Sequence, residues 1–305
     1  MALTLDQFKP HAYELGLTKV FGDELTRHGK EYTGWLRTAN AERLTDTYWA
    51  TSGTGLPSVK GIGEPYVVDQ IFDGPRKTFG LTVYGNSLVI QDEAIYWDNY
   101  GIFKGLAKDM ARNHIERENL TAFALINHAM DASPTADFQD LNGQAICATN
   151  KTRMDGGTWK NRHSSNAGLS YKAVQEALVD LSRTVNERGM FAKISSKMLL
   201  IASEQDYIAR EIFGSSNVAH ELSNTKNTLM GSGITPMAYP YITSTTAWLL
   251  INKEIPEIWF RFGMPPTMRS GSDPKTDNRY VTTKRSMSTC VYRTYGWYGS
   301  SGDGA

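Results

Sequence analysis

The sequence predicts an α+β fold, and three observations carry that prediction. Apolar and polar residues alternate with strand periodicity in Pro65 to Ile90 and again in Arg279 to Tyr295. Between them, Asp92 to Met130 repeats with helical periodicity. Further on, a helical stretch leads into a strand, helix, strand order that indicates a mixed layer of helices and sheet. Composition agrees: 27 Gly, 15 Tyr and 7 Trp in 305 residues favour turns and sheets beside the helices.

At the N-terminal end, Met1 to Tyr48 mixes short amphipathic pieces with charges, and TSGTGLPSVKGIG, Thr51 to Gly63, has the composition of a mobile extended segment. PYVVDQIF and KTFGLTVY flank the turn-prone Asp73-Gly74-Pro75. Phe79, Leu81 and Val83 there alternate with Thr78, Thr82 and Tyr84, which predicts a long hairpin or two adjacent strands. Asp92 suits an N-cap. From it, one long helix, or two joined near Gly101 and Gly105, would reach Met130 with Ile102, Leu106 and Met110 on an apolar face.

The segment Ala132 to Gly168 reads as a loop carrying Lys151, Arg153, Lys160, Arg162 and His163. A helix follows, capped at Ser170, stapled by Leu169 and Val174, buried through Val174, Ala177, Leu178, Leu181 and Val185, and stopped at Gly189. KMLLIA is a buried strand, and Ser203 with Asp206 has capping-box spacing before a helix ending at Gly214. ITPMAYPYI and TAWLLIN are two more strands, in a stretch from Asn227 to Lys253 that holds no Asp, Glu, His, Cys or Arg. IWFRF, a turn-rich MPPTMRSGSDPKTDN and a long strand place Val281, Thr283, Arg285, Met287, Thr289, Val291, Arg293 and Tyr295 on one face. The tail GSSGDGA is expected to be disordered.

Searches for chemistry return ordinary structural readings. Lys plus Arg and Asp plus Glu number 32 each, which gives no basic surplus for wrapping nucleic acid. Cys147 and Cys290 have neither metal-ligand spacing nor the density of a disulfide scaffold, so they read as small buried residues of a reducing compartment. A phosphate-cradling GxxxxGK[ST], an HExxH, a CxxC pair and a GxSxG elbow are all absent. Gly231-Ser-Gly233 reads as a turn, and Asp92 with Glu93 as dipole-complementing caps. The N-terminal MALTLDQFKPHAYELGL lacks the basic start and apolar run of a signal peptide, and no segment approaches the roughly 20 apolar residues of a membrane span. No catalytic, cofactor or metal site is assigned, and no cofactor is expected.

In order and spacing, these pieces resemble the major capsid protein of tailed bacteriophages, a shell fold shared with encapsulins and herpesvirus capsid floors; the closest similarity is with Mu-like major head subunits. The similarity lies in EPYVVDQIFDGPRKTFGLTVYGNSLVIQDEAIYWDNYGIFKGLAKDMARN, a hairpin followed by a spine helix, and in SSNAGLSYKAVQEAL. It continues through KMLLIASEQDYIAREIF and Asn227, Gly231, Pro240-Tyr241 and Ala247-Trp248, covering roughly Thr45 to Tyr295.

The resemblance implies an N-terminal arm at 1–49, an E-loop hairpin at 50–90 and a peripheral domain with the spine helix at 91–139. An axial domain at 140–255 and return strands with a tail at 256–305 would complete the subunit. It further implies a non-enzymatic shell subunit of pentamers and hexamers, enclosing phage double-stranded DNA in a virion assembled in the host cytoplasm. A separate scaffolding protein, a portal and a decoration protein would be partners, with the DNA contacted weakly and non-specifically. Lys60 and Lys77 lie in the proposed loop, but no paired Asn or activating acid is identifiable, so no isopeptide crosslink is expected. An encapsulin-like compartment is the alternative within the fold. Outside it, the alternative is an α+β hydrolase or nucleotide-binding enzyme that gathers distant residues such as Asp92, His163 and His220.

Overall fold

The computed structural model describes residues 5–91, 100–192, 194–217, 226–255, 257–273, 275–276 and 278–304. Helix α1 (Leu5–Arg27) leads through a 3₁₀ turn at Glu31–Gly34 to strands β1 (Arg37–Asn40) and β2 (Thr45–Thr51). Strands β3 (Asp73–Gly80) and β4 (Thr82–Ile90) precede the long helix α2 (Tyr100–Asn127). A two-stranded ribbon, β5 (Lys151–Thr152) with β6 (Thr158–Trp159), comes before α3 (Tyr171–Ser182), β7 (Met198–Ala202) and α4 (Asp206–Gly214). The chain closes with β8 (Thr235–Tyr239), β9 (Trp248–Ile251), β10 (Ile258–Phe262), β11 (Thr267–Ser272), β12 (Arg279–Val291) and β13 (Trp297–Ser300).

Two sheets organise these elements. The larger runs β1-β10-β12-β11, with β4 antiparallel along the other side of β12 from Met287 to Arg279. The smaller runs β13-β9-β7-β8, in which β7 pairs parallel with β8 and antiparallel with β9. Successive side chains of a strand face opposite ways, so β7 and β9 feed two cores at once. Leu200, Leu249 and Ile251 point toward the larger sheet, where they join Phe260, Met287, Val291 and Trp35. Leu199, Ile201, Trp248 and Leu250 point the other way, under Ala173, Ala177 and Leu181 of α3 and Ala209 of α4. A sheet covered on both faces has no use for an alternating polar residue, which is why the Asn227 to Lys253 stretch is so poor in charge.

Helix α2 belongs to two cores. Ala107, Met110 and Ala111 pack with Leu17 and Phe21 of α1, while Ala122, Phe123, Leu125 and Ile126 lie between the sheets. At 1.5 Å per residue its 28 residues span roughly 42 Å. Helix α3 begins as its sequence requires: the Ser170 hydroxyl accepts a hydrogen bond from the Ala173 amide, and Leu169 packs against the cluster holding Val174.

Several expectations change. The N-terminal region is not simply an extended arm: α1 is a 23-residue helix whose Leu17, Val20, Phe21 and Leu25 follow a 3.6-residue stripe onto α2. The expected hairpin within 50–90 divides. Asp73-Gly74-Pro75 is no turn but the start of β3, which pairs with β2, while β4 joins the large sheet and PYVVDQIF forms no strand before Asp73. Pro75 is tolerated because β3 lies in a two-stranded ribbon with a register irregularity between Trp49 and Thr51, where one ladder donor is dispensable.

The turn-rich MPPTMRSGSDPKTDN contains β11, whose small residues pair with β12 in spite of their low strand propensity. Ser203 does not cap α4; Ser203–Gln205 forms a 3₁₀ turn, and buried Gln205 donates to the Thr246 carbonyl instead. Helix α3 ends at Ser182, leaving Val185 outside it, and Gly189 takes a positive φ in a later turn. The tail is ordered through Gly304: Gly299 and Ser300 complete β13, and the Gly304 amide donates to the Asn166 carbonyl. Asp92, Glu93 and His220, and with them the expected cap of the long helix, lie outside the described residues.

Candidate assembly surface

Strands β2 and β3 form an antiparallel ladder that carries residues 52–72 as a loop between them. Its neck is pinched: the Ser52 amide donates to the Phe72 carbonyl over 3.0 Å, and the Phe72 amide donates to the Ser52 hydroxyl over 2.9 Å. Farther out, the Gly55 amide donates to the Asp69 carboxylate, and the Lys60 ammonium lies 4.5 Å from the centre of the Tyr66 ring. The apolar side chains of this loop have nowhere to go within the subunit. Leu56, Val59, Ile62, Tyr66, Val67, Val68 and Ile71 are between 60 % and 109 % exposed. Seven such residues on one segment make a patch that a monomeric protein rarely leaves in water.

The ladder itself is tied to the rest of the molecule by cations and by the packing of Tyr48 on Trp259 and Tyr292. Buried Arg261 of β10 pairs with Asp46 and donates to the Phe79 carbonyl. Arg293 donates to the Thr51 carbonyl over 2.9 Å, and the Tyr292 hydroxyl donates to the Trp49 carbonyl over 3.0 Å. In the reverse direction Lys77 of β3 reaches the Gln139 carbonyl, and burial pulls its pKa below the usual lysine value. Sequence reasoning placed Arg293 only on a face of the last long strand and passed over Arg261, whose signal was an Arg inside the otherwise apolar IWFRF.

The residues singled out for chemistry take structural roles. Lys151, 1 % exposed, donates to Asp140 over 2.7 Å and to Thr294 over 2.6 Å. Arg153 pairs with Asp155, Lys160 with Asp180, and Arg162 with Asn166 and the Met130 carbonyl. The basic loop is therefore largely spent on internal ties rather than solvated. His163 is buried between Glu176, 3.1 Å away, and Ser165. Asp92 and His220, the other two residues supposed for the enzyme alternative, lie outside the described residues. Gly231 and Gly233, both at positive φ, form the turn ahead of β8. Among the described residues no group of three His, Cys, Asp or Glu could hold a metal, and no helix is long and apolar enough to cross a membrane.

A family model described as phage capsid protein matches residues 76–298, well over half of the chain. The chain belongs to the phage capsid protein family. No curated protein sequence matches this capsid protein. Solved structures do. One from Microbacterium phage Oxtober96 is 8 % identical, with 90 % of each chain covered and a TM-score of 0.55. The capsid of an empty GTA particle is 12 % identical over 88 % of each chain, with a TM-score of 0.54. The capsid of Ralstonia phage GP4 is 8 % identical over 87 % of this chain and 86 % of its own, with a TM-score of 0.53. At such identities the likeness shows the fold, and the fold is the α+β capsid fold of tailed phages. With the family, it makes the protein a structural, self-associating component of a phage capsid.

Proposed function

We propose that this capsid protein tiles an icosahedral shell as pentamers and hexamers around phage double-stranded DNA, without catalysing a reaction. The observation that carries the reading is the loop at 52–72, which offers an exposed apolar surface on a braced two-stranded stalk. Burying it on a neighbouring copy removes that surface from water, and repeating the contact around a closed shell makes many modest interfaces jointly stable.

In this reading the E-loop is Thr45 to Gly80 rather than 50–90, because β4 serves the large sheet. The large sheet with the N-terminal part of α2 forms the peripheral domain, and the small sheet with α3 and α4 forms the axial domain, which takes in about 140–255 and also β13, a strand expected to return to the peripheral domain. Helix α1 packs on α2, and a separate scaffolding protein is a proposed partner. A portal and a decoration protein are further proposed partners. Zero net charge suits an inner wall that contacts packaged DNA weakly, in a particle assembled in the host cytoplasm.

The test is limited proteolysis with negative-stain imaging of the full chain, before and after assembly with its scaffold. We expect capsomers or shells, with cleavage inside 52–72 in free subunits and protection in particles. Equal cleavage in both states, or a monomer at every concentration and salt, would refute the reading.

A further inference from the structure

One cation makes more contacts with the loop than any other tie just described. Arg188 stands at the tip of a turn between α3 and β7 and touches both ends of the loop at once. Its Nε and a terminal nitrogen donate to the Gly53 carbonyl over 3.2 and 3.1 Å, and that terminal nitrogen also donates to the Gln70 carbonyl. It lies 3.5 Å from the Asp69 carboxylate, and the guanidinium sits 5.0 Å from the centre of the Phe72 ring. A planar fork of five donors suits this arrangement, in which two carbonyls, a carboxylate and a ring face are met together; a lysine could satisfy only part of it.

The turn that presents Arg188 is itself rigid. The Asn186 side chain accepts from the amides of Arg188 and Met190, both over 3.0 Å, and the Gly189 amide donates to the Asn186 carbonyl at a positive φ. Next to it, Glu187 is 6 % exposed, accepting from the Tyr295 hydroxyl over 2.7 Å and the Met154 amide over 2.9 Å. The guanidinium is thus displayed from a fixed base onto a segment that, beyond its neck, has no ladder of its own.

We propose that Arg188 is the positioning residue of the loop: it clasps Gly53, Asp69, Gln70 and Phe72 and sets the direction in which residues 54–68 leave the subunit before they meet another copy. The proposal rests on the reading of that loop as an assembly surface, and it adds that its stance is fixed in the free subunit by a group outside the loop. Arg188 takes no part in the body's own cores, so its removal frees the loop and leaves those cores intact.

Hydrogen exchange of the full chain, as free subunits and as assembled particles, tests this in wild type, Arg188→Ala, Arg188→Lys and Asp69→Asn. In free subunits exchange within 53–72 is expected to rise about tenfold in Arg188→Ala, the scale of losing charge-assisted hydrogen bonds, and by less in the other two variants. Exchange in α2 and β9 stays unchanged. Wild-type rates in the loop of Arg188→Ala overturn the clasp; should that variant fail to fold, wild-type rates in Asp69→Asn and Arg188→Lys overturn it equally. A wild-type loop as open in particles as in free subunits removes the assembly reading, and the free-subunit comparison still decides the clasp.

Discussion

Glu118 of α2 and Arg285 of β12 form an ion pair inside the seam between helix and sheet, with Glu118 wholly buried and Arg285 5 % exposed. The Tyr32 hydroxyl donates to the same carboxylate over 2.7 Å, and the Lys30 ammonium lies 3.8 Å from it. Arg285 also rests 4.3 Å from the centre of the Phe262 ring. Two separate stretches of chain, 30–32 and β12, converge on one carboxylate of α2.

Removing one member of such a pair leaves an uncompensated charge away from water. Glu118→Ala is therefore expected to lose about 3–5 kcal/mol of stability, read by urea unfolding of the unassembled subunit. Replacing both residues together, as Glu118→Leu with Arg285→Met, should recover most of that loss. A single variant as stable as wild type would show that the pair contributes nothing.

Asn161 is fully buried and serves as a spacer between three segments. Its Oδ1 accepts from the Ala148 amide over 2.9 Å, and its Nδ2 donates to the carbonyls of Ile146 and Trp297 over 2.8 and 3.0 Å. Asn161→Ala strands these backbone groups without partners, at a cost of about 2–4 kcal/mol. Asn161→Asp should be as harmful, because a carboxylate cannot donate to the two carbonyls. Chemical denaturation that finds Asn161→Asp near wild type would contradict this bonding scheme.

Glu257 gives the fold a pH dependence. Burial pushes its pKa from the usual 4.5 up to about 7; the nearby Glu187 adds to the rise, while the Tyr295 amide and the charges of Arg293 and Lys151 oppose it. The folded value lies above the unfolded one, so the contribution is fully present below about pH 4.5 and is lost as pH rises through 7. Against a Glu257→Gln variant, wild type should lose about 2–3 kcal/mol between pH 4.5 and 8. The comparison is one of thermal unfolding across that range, and a constant difference between the two proteins would rule out the titration.

Cys147 and Cys290 are both buried, and burial raises each thiol to about 12. Native subunits should therefore resist iodoacetamide at pH 8, and both residues should label once the chain is unfolded. Rapid labelling of either in folded protein would mean that its surroundings open locally.

Where local pattern and tertiary demand agree, the sequence was readable. Ser170, Val174, Ala177 and Leu181 announce α3, and the uninterrupted apolar run at Trp248 to Ile251 announces a strand buried on both faces. Elsewhere pairing overruled propensity. Asp73-Gly74-Pro75 looks like a turn but lies in a two-stranded ribbon that can spare a donor, and the Gly-Ser-rich β11 exists because β12 supplies its ladder. The ties of Arg188, Arg261 and Arg293 to distant carbonyls were invisible, because one arginine in a sequence carries no mark of which backbone oxygen it will meet. Exposed Val59 and Ile62 are legible only afterwards, once the fold shows that nothing within the subunit covers them.

The rod formed by α2 has a mechanical corollary. One end is gripped by α1 and β4, and the other is wedged between the two sheets, so a load taken at either end passes along a continuous backbone instead of across a side-chain seam. Under such a load each building block would keep its shape, and the give would fall at the joints between blocks.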